Sequence, residues 1–569
     1  PVRRTPAVAG CGLLGGGGVP RWRMSWSVDS WRQKNVAQAI PYEDEAELAD
    51  AVAALRQLPP LVTSFEIEKL KSLIADAQAG KRFVLQGGDC AESLSDCRPG
   101  PIAAKLKILL QMSMVLIHGG ERSVVRIGRF AGQYAKPRSK PYETIGDVTL
   151  PNYFGDLVNR PEFTPEARRA DPSLLIDGYK HAAMTLNFIR SLTDSGFADL
   201  HHPEYWDLSF MESATLSASL RDAYQRTVDS VSSSLRFVQS LGDGAASELQ
   251  RVEFFTSHEG LNLHYESALT QTVPRRAGHY DLSAHLPWIG ERTRTLDGAH
   301  IEFFRGIQNP IGVKVGPTAT GADVLALLDV LNPDDEPGKI VLITRMGAKK
   351  IREALPPILE AVHATSRPVL WICDPMHGNT HETSSGRKTR NFEAILAELE
   401  GCVAAHAQVG TYFGGVHFEL TGDDVTECMG GAEGLTEEDL ERNYTTLCDP
   451  RLEQSTSDEV GHRAADRDAV EPELFGQRAF GREPSLGRVG SVEHRATKTL
   501  GALFDERKSV FGRRRHVRDI GPTNRKWQRQ SMRVLTLVRP LHLATACASL
   551  NTTLVVLSLV TGGCWTRVG

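Results

Sequence analysis

Val369-Leu370-Trp371-Ile372-Cys373-Asp374-Pro375-Met376-His377-Gly378-Asn379-Thr380-His381-Glu382 is an apolar run that breaks into metal-binding and proton-moving side chains. Its first four residues are apolar with no polar alternation, the pattern of a strand covered on both faces, as in a parallel sheet. Pro375 and Gly378 then take the chain out of regular structure and leave His377 in a loop. A lone histidine in such a loop ordinarily makes only local hydrogen bonds. Here Cys373, Asp374, His377, His381 and Glu382 crowd into one short segment, which points to a strand ending at a site of chemistry.

Seven other runs end in the same way, in glycine or in polar and charged residues. They are Phe83-Val84-Leu85-Gln86-Gly87-Gly88-Asp89-Cys90, Val124-Val125-Arg126-Ile127-Gly128-Arg129, Val252-Glu253-Phe254-Phe255-Thr256-Ser257-His258-Glu259 and Leu286-Pro287-Trp288-Ile289-Gly290-Glu291-Arg292. Ile311-Gly312-Val313-Lys314-Val315-Gly316-Pro317, Ile340-Val341-Leu342-Ile343-Thr344-Arg345 and Gly415-Val416-His417-Phe418-Glu419 complete the set. With the opening stretch they make eight, the number that closes a (β/α)8 barrel. Helical spacing fills most of the intervals, as at 322–331, 348–364 and 391–406. The alternation predicts an α/β fold, a (β/α)8 TIM barrel over residues 81–452 with catalytic groups at the C-terminal ends of its strands. Leu48, Val52 and Leu55, then Ile67, Leu70, Leu73 and Ile74, recur at three- and four-residue spacings and predict an N-terminal helical extension within 24–80. The interval from about 147 to 244 exceeds a simple βα unit and reads as helices inserted after the second strand.

The 569 residues leave room for one large domain with extensions. A hydrophobic content of 41% and a charged content of 24% are those of an ordinary soluble enzyme. The net charge of -5 gives no reason to expect nucleic acid or an acidic membrane as a partner. Nine scattered cysteines lack the dense spacing of a disulfide framework, so a reducing compartment is expected. Residues 1–23 carry several arginines, no acid and the run Gly15-Gly16-Gly17-Gly18, and Met24 follows like a natural start. That leader reads either as a transit peptide or as translated upstream sequence. A cytoplasmic location is expected, or a plastid if it is a transit peptide.

Three kinds of chemistry converge at the strand ends. Arg129, Lys136, Arg138, Arg292, Lys314 and Arg345 come from separate runs, and a barrel would gather them at one mouth, where guanidinium forks and ammonium charges suit phosphate and carboxylate groups. Cys90, His377, Glu419 and an acid near Asp449 form a mixed sulfur, nitrogen and oxygen set suited to Mn, Fe, Co or Zn. Glu259, Glu291 and His381 are candidate proton-moving groups.

The motifs also carry a resemblance. Leu85-Gln86-Gly87-Gly88-Asp89-Cys90-Ala91-Glu92, Ala131-Gly132-Gln133-Tyr134-Ala135-Lys136-Pro137-Arg138-Ser139, Trp288-Ile289-Gly290-Glu291-Arg292-Thr293-Arg294, the Cys373 to Glu382 segment, Val425-Thr426-Glu427-Cys428 and Cys448-Asp449-Pro450-Arg451-Leu452 occur in this order. From Trp26 to Leu452 the chain closely resembles the class II, or plant-type, 3-deoxy-D-arabino-heptulosonate 7-phosphate (DAHP) synthases. The resemblance implies a transferase that condenses phosphoenolpyruvate with D-erythrose 4-phosphate and opens the shikimate pathway to chorismate and the aromatic amino acids. It implies a divalent metal, Mn or Co, on Cys90, His377, Glu419 and Asp449. Phosphoenolpyruvate would be held by Arg129, Glu291, Arg292, Lys314 and Arg345, and erythrose 4-phosphate by Lys136, Pro137, Arg138 and Ser139. Lys314, Glu259 and His381 would serve the catalytic steps, and a homo-oligomer is expected.

After Leu452 the resemblance stops, where the family continues into an apolar helix that closes the barrel. Residues 453–569 are expected to be an atypical, disordered tail: charged and aperiodic from Gly461 to about Glu506, which reads as disorder, basic from Arg513 to Arg529, and apolar from Leu541 to Val560. Transcript read-through or mis-splicing accounts for the change better than a membrane anchor. A barrel lacking that helix raises the alternative of an impaired phosphate-binding or regulatory homologue.

Overall fold

All eight apolar runs are strands: β1 (Arg82–Gly88), β2 (Ser123–Arg129), β3 (Phe255–Glu259), β4 (Leu286–Ile289), β5 (Ile311–Val315), β6 (Ile340–Thr344), β7 (Leu370–Cys373) and β8 (Gly415–Glu419). The computed structural model describes residues 25–194, 225–226, 229, 253–431 and 434–453. The strands pair in parallel and in chain order. The sheet closes because Leu85 of β1 lies opposite Arg126 of β2 on one side and Val416 of β8 on the other. The chain divides into two units, Pro1–Phe480 and Gly481–Gly569, and every described residue belongs to the first.

Strand alternation sorts the barrel interior. Val84, Val125, Ile127, Phe255, Leu286, Trp288, Val341, Ile343, Leu370 and Ile372 form one buried apolar cluster. Counting onward by two from these residues reaches Gln86, Arg129, Ser257, Glu259, Arg345 and Asp374. On β1, β2, β3, β6 and β7 the same face is therefore apolar at the floor and charged or polar at the mouth. That floor is closed by α2 (Ser64–Gln78) of the N-terminal extension, while α1 (Glu45–Leu55) packs through Leu48, Ala51, Val52 and Leu55 into a separate apolar cluster. Asp44 caps α1, and a reciprocal Thr63–Glu66 capping box starts α2. Leu70, Ile74 and Ala77 of α2 join the floor cluster, so this helix plugs the N-terminal end of the barrel.

The outer layer follows the helical spacings. After β1 runs α3 (Pro99–Gly120), whose Leu106, Ile108, Leu109 and Met112 are fully buried. The insert after β2 contains α4 (Ser173–Asp194), and α5 (Leu263–Leu269) and α6 (Ala299–Phe304) are short. Then come α7 (Gly321–Leu331), α8 (Ile351–His363) and α9 (Phe392–Val409), each close to its expected span. In α8, Ile351, Leu355, Ile358, Leu359 and Val362 make the buried stripe.

The insert differs from its sequence expectation. Instead of opening with a helix near residue 147, it opens with an antiparallel hairpin, Tyr142–Ile145 against Val148–Pro151. The turn is Gly146-Asp147, with Gly146 at φ 60, a conformation open to glycine that gives a two-residue turn matching the twist of the strands. Two more short hairpins, Thr270–Thr272 with His279–Asp281 and Thr380–Glu382 with Lys388–Arg390, also interrupt the βα rhythm. At the far end Leu452 donates its N–H to the Glu419 carbonyl at 3.0 Å and accepts from Thr421 N–H at 2.9 Å, extending the line of β8. Residues 195–224, 227–228 and 230–244 of the expected insert, the leader at 1–23 and the tail from 454 lie outside the described residues, and with them the question of the closing helix.

Candidate active site at the barrel mouth

The C-terminal strand ends open into a cavity of about 570 Å3. Arg129, Glu259, Glu291, Arg292, Lys314 and Arg345 line it, together with Lys136, Pro137, Arg138 and Ser139 from the loop after β2, and His377 and Asp449. Cys90 and Glu419 are fully buried behind the wall, where their donor atoms and those of Asp449 come within 4.8 Å of one another.

The donor group is assembled from four places in the chain. Cys90 follows β1, His377 lies in the loop after β7, Glu419 ends β8, and Asp449 belongs to the last described segment. His377 Nε2 lies 2.9 Å from Glu419 Oε1, and its Nδ1 lies 2.7 Å from Asp374 Oδ2. Asp374 also accepts the backbone N–H groups of Met376 (3.0 Å) and His377 (3.2 Å), so the carboxylate sets both the loop and the ring. Lys136 Nζ stands among the donors, 2.7 Å from Cys90 Sγ, 2.8 Å from Asp449 Oδ2 and 3.7 Å from Glu419 Oε1. Burial opposes ionisation of Glu419, yet His377, Lys136, Arg390 and Arg129 hold it well below the usual carboxylate range. Burial pushes the Cys90 thiol up, and Cys448, Glu419 and Asp449 push the same way. A thiol and two carboxylates around a point already held by an ammonium group, with an imidazole joined to them through Glu419, fit a divalent transition ion, whose charge would favour the thiolate.

The cations are also set from beneath. Arg129 Nη1 contacts His417 Nε2 at 2.8 Å, and His417 Nδ1 meets Gln86 Oε1 at 2.8 Å. Gln86 in turn donates to Ser257 Oγ at 3.0 Å. Burial, with Lys314 and Arg129 nearby, keeps His417 well below the usual histidine value, so the neutral ring accepts from Arg129 and donates to Gln86. Arg129 Nη2 reaches Glu419 Oε1 at 3.0 Å and so borders both the donor group and the cavity. Lys314 pairs with Asp374, and burial brings its ammonium down to about 8 despite that carboxylate. Trp288 faces both cations, with Arg129 Cζ 5.3 Å and Lys314 Nζ 5.9 Å from the ring centroid. Arg345 donates to the His377 carbonyl at 2.8 Å, and Arg292 donates to Ser139 Oγ at 2.8 Å, tying the two cation groups together.

The proton-moving candidates separate. Burial raises the Glu259 carboxyl, partly offset by Lys136 and Lys314, and its Oε1 has no hydrogen-bond partner among the described residues. Glu291 Oε1 accepts from Arg294 at 2.9 Å. His381 is not brought to the cavity: it is exposed on the Thr380–Glu382 strand. Alternation explains this, because Thr380 turns inward to accept from Arg390 Nε at 2.9 Å and its neighbour turns out.

Four contributors carried no role in the sequence reading: Asp374, His417, Arg390 and Asn152. Arg390 is fully buried and donates to Glu419 Oε2 at 2.7 Å and to the Pro450 carbonyl. Asn152, just past the hairpin, accepts from Arg138 Nε at 2.9 Å. Asp374 and His417 share the inward alternation of the assigned residues, and that was the available signal.

Residues 26–465 match the class-II DAHP synthetase family. The chain is 47% identical over 457 residues to a phospho-2-dehydro-3-deoxyheptonate aldolase of Neurospora crassa, covering 78% of this chain and 94% of that protein. A Streptomyces coelicolor protein of the same name is 47% identical over 429 residues, covering 75% and 94%. Phospho-2-dehydro-3-deoxyheptonate aldolase AroG of Mycolicibacterium smegmatis is 44% identical over 446 residues, covering 77% and 94%. The family match continues past Leu452 to residue 465, so the departure from the family begins later than the sequence motifs indicate.

Proposed function

The chain belongs to the class-II DAHP synthetase family, whose members catalyse the first step of the shikimate pathway, and we propose that its barrel mouth carries out that reaction with the side chains described above. Phosphoenolpyruvate, D-erythrose 4-phosphate and water give DAHP and inorganic phosphate. The observation that carries this reading is the meeting of Arg129, Lys314 and Arg345 with the Cys90, His377, Glu419 and Asp449 donors at one cavity.

Arg129, Arg292, Lys314 and Arg345 take the phosphate and carboxylate of phosphoenolpyruvate, with Glu291 ordering Arg294 beside them. Lys136, Pro137, Arg138 and Ser139 receive the aldose phosphate, and the Arg292–Ser139 hydrogen bond sets the two substrates side by side. A divalent metal, Mn or Co, on Cys90, His377, Glu419 and Asp449 would polarise the aldehyde oxygen as a Lewis acid. C3 of the enol forms the new carbon–carbon bond at the aldehyde carbon. Water adds at C2, the C2–O bond to phosphate breaks, and the water oxygen becomes the new carbonyl. Glu259, whose carboxyl is raised by burial, moves a proton in these steps, and Lys314 stays close to the departing phosphate. The homo-oligomeric state is proposed from the family resemblance, and a cytoplasmic location, with a plastid as the alternative, from the scattered cysteines and the leader.

Phosphate release in step with phosphoenolpyruvate consumption, measured with both substrates and Mn, tests the reading. Folded protein that binds phosphoenolpyruvate and releases no phosphate would instead establish the impaired, regulatory alternative. The presence of the cation and donor side chains at the mouth counts against it.

A further inference from the structure

We infer that Arg451 is a positioning residue for the metal site, stapling together the two loops that carry Cys90 and Asp449. The inference rests on the metal-binding role proposed for those two residues. Cys90 leaves the end of β1 and Asp449 sits in the last described segment, so their separation depends on what holds one loop to the other.

Asp89 precedes Cys90 and is fully buried, and Arg451, two residues after Asp449, is 9% exposed. Arg451 Nη1 donates to Asp89 Oδ1 at 3.1 Å, bridging the two loops directly. The rest of its fork is fixed on Glu427, with Nε to Oε2 at 3.0 Å and Nη2 to Oε1 at 2.7 Å. Nη2 also reaches Thr445 Oγ1 at 2.7 Å. Glu427, itself fully buried, accepts the backbone N–H groups of Thr446 and Arg451, each at 2.8 Å. Lys105 of α3 takes the other Asp89 oxygen at 2.5 Å, anchoring that carboxylate to the outer helix layer.

Two buried acids thus meet two buried cations, and both Arg451 pairs are held at fixed angles by a planar fork that a point charge would not reproduce. Arg451 does not line the cavity, so it acts on substrate only through the ligands it spaces. Outer partners of this kind typically change metal affinity by about 10–100-fold.

Titration calorimetry of Mn into the full chain, with circular dichroism of each variant, tests the inference. Arg451→Gln and Asp89→Asn are each expected to weaken Mn binding by about tenfold or more, while at saturating Mn the KM for phosphoenolpyruvate stays within about twofold. The double variant is expected to be little weaker than Arg451→Gln alone, because both substitutions act on the same charged Asp89–Arg451 bridge. Asp89→Asn leaves the Arg451–Glu427 pair in place, so it decides the matter if Arg451→Gln does not fold. Mn affinity within about twofold of the parent in a folded variant would overturn the inference. Cys90→Ala, which leaves no donor atom at that position, separates the two readings. If it loses Mn while Asp89→Asn and Arg451→Gln keep it, only the staple is wrong; if it also keeps Mn, the metal assignment itself fails.

Discussion

Lys314 is a structural anomaly at the position where the proposed reaction needs a cation. It lies in the fully buried strand β5, where an ammonium without a counter-charge would be excluded, and Asp374 beside it makes the position tenable. Burial lowers its pKa to about 8, and only the charged form can hold an anionic substrate. The kcat/KM for phosphoenolpyruvate is therefore expected to fall as pH rises through about 8, with the proton lost from free enzyme. Lys314→Arg, which keeps its charge, is expected to move this alkaline limb upward at whatever rate remains. A limb still near 8 in that variant would assign it to another group. Gly290 makes a second residue-scale case: a Cβ there would stand 2.0 Å from Glu259 Oε1. Gly290→Ala must displace that carboxyl, and kcat is expected to drop by about 100-fold, the low end of general acid–base contributions. Unchanged kcat in folded Gly290→Ala would remove Glu259 from the mechanism.

Elements place these residues more tightly than loops alone would. The Tyr142–Pro151 hairpin stands at the cavity edge, and Asn152 fixes Arg138 at 2.9 Å while its own N–H bonds the Pro141 carbonyl at 2.9 Å. Asn152→Ala frees the guanidinium assigned to the aldose phosphate. The expected result is a KM for erythrose 4-phosphate raised by about tenfold, the cost of roughly one charge-assisted hydrogen bond, with the phosphoenolpyruvate KM unchanged. Equal rises in both constants would show that the hairpin serves the whole mouth instead. The turn signal Gly146-Asp147 between β-branched runs was legible in the sequence, but it was hidden inside an interval whose length suggested helices. The three-residue strands around His381 carried no such signal, because alternation cannot be read over so short a run.

Over the whole molecule, the donor group joins the ends of β1 and β8, the loop after β7 and the last described segment. A metal that binds only the native arrangement stabilises it by about 2.7 kcal/mol at a hundredfold excess over its dissociation constant. Scanning calorimetry is expected to show a melting temperature raised by roughly 2–4 °C with Mn and lowered again by a chelator. No shift at saturating Mn would argue that the donors are already fully held by Lys136 and the surrounding arginines. The sequence by itself determined the barrel, the order of its strands and the residue types at their ends, because apolar runs and helical spacing are local patterns that a single chain displays. Only the tertiary structure decided which of those groups meet. It set Cys90 beside Asp449, put Lys136 among the candidate metal donors, bonded Arg129 to His417 and turned His381 to solvent. The physical reason is closure: joining β1 to β8 brings together residues hundreds of positions apart, and separation along the chain says nothing about that distance.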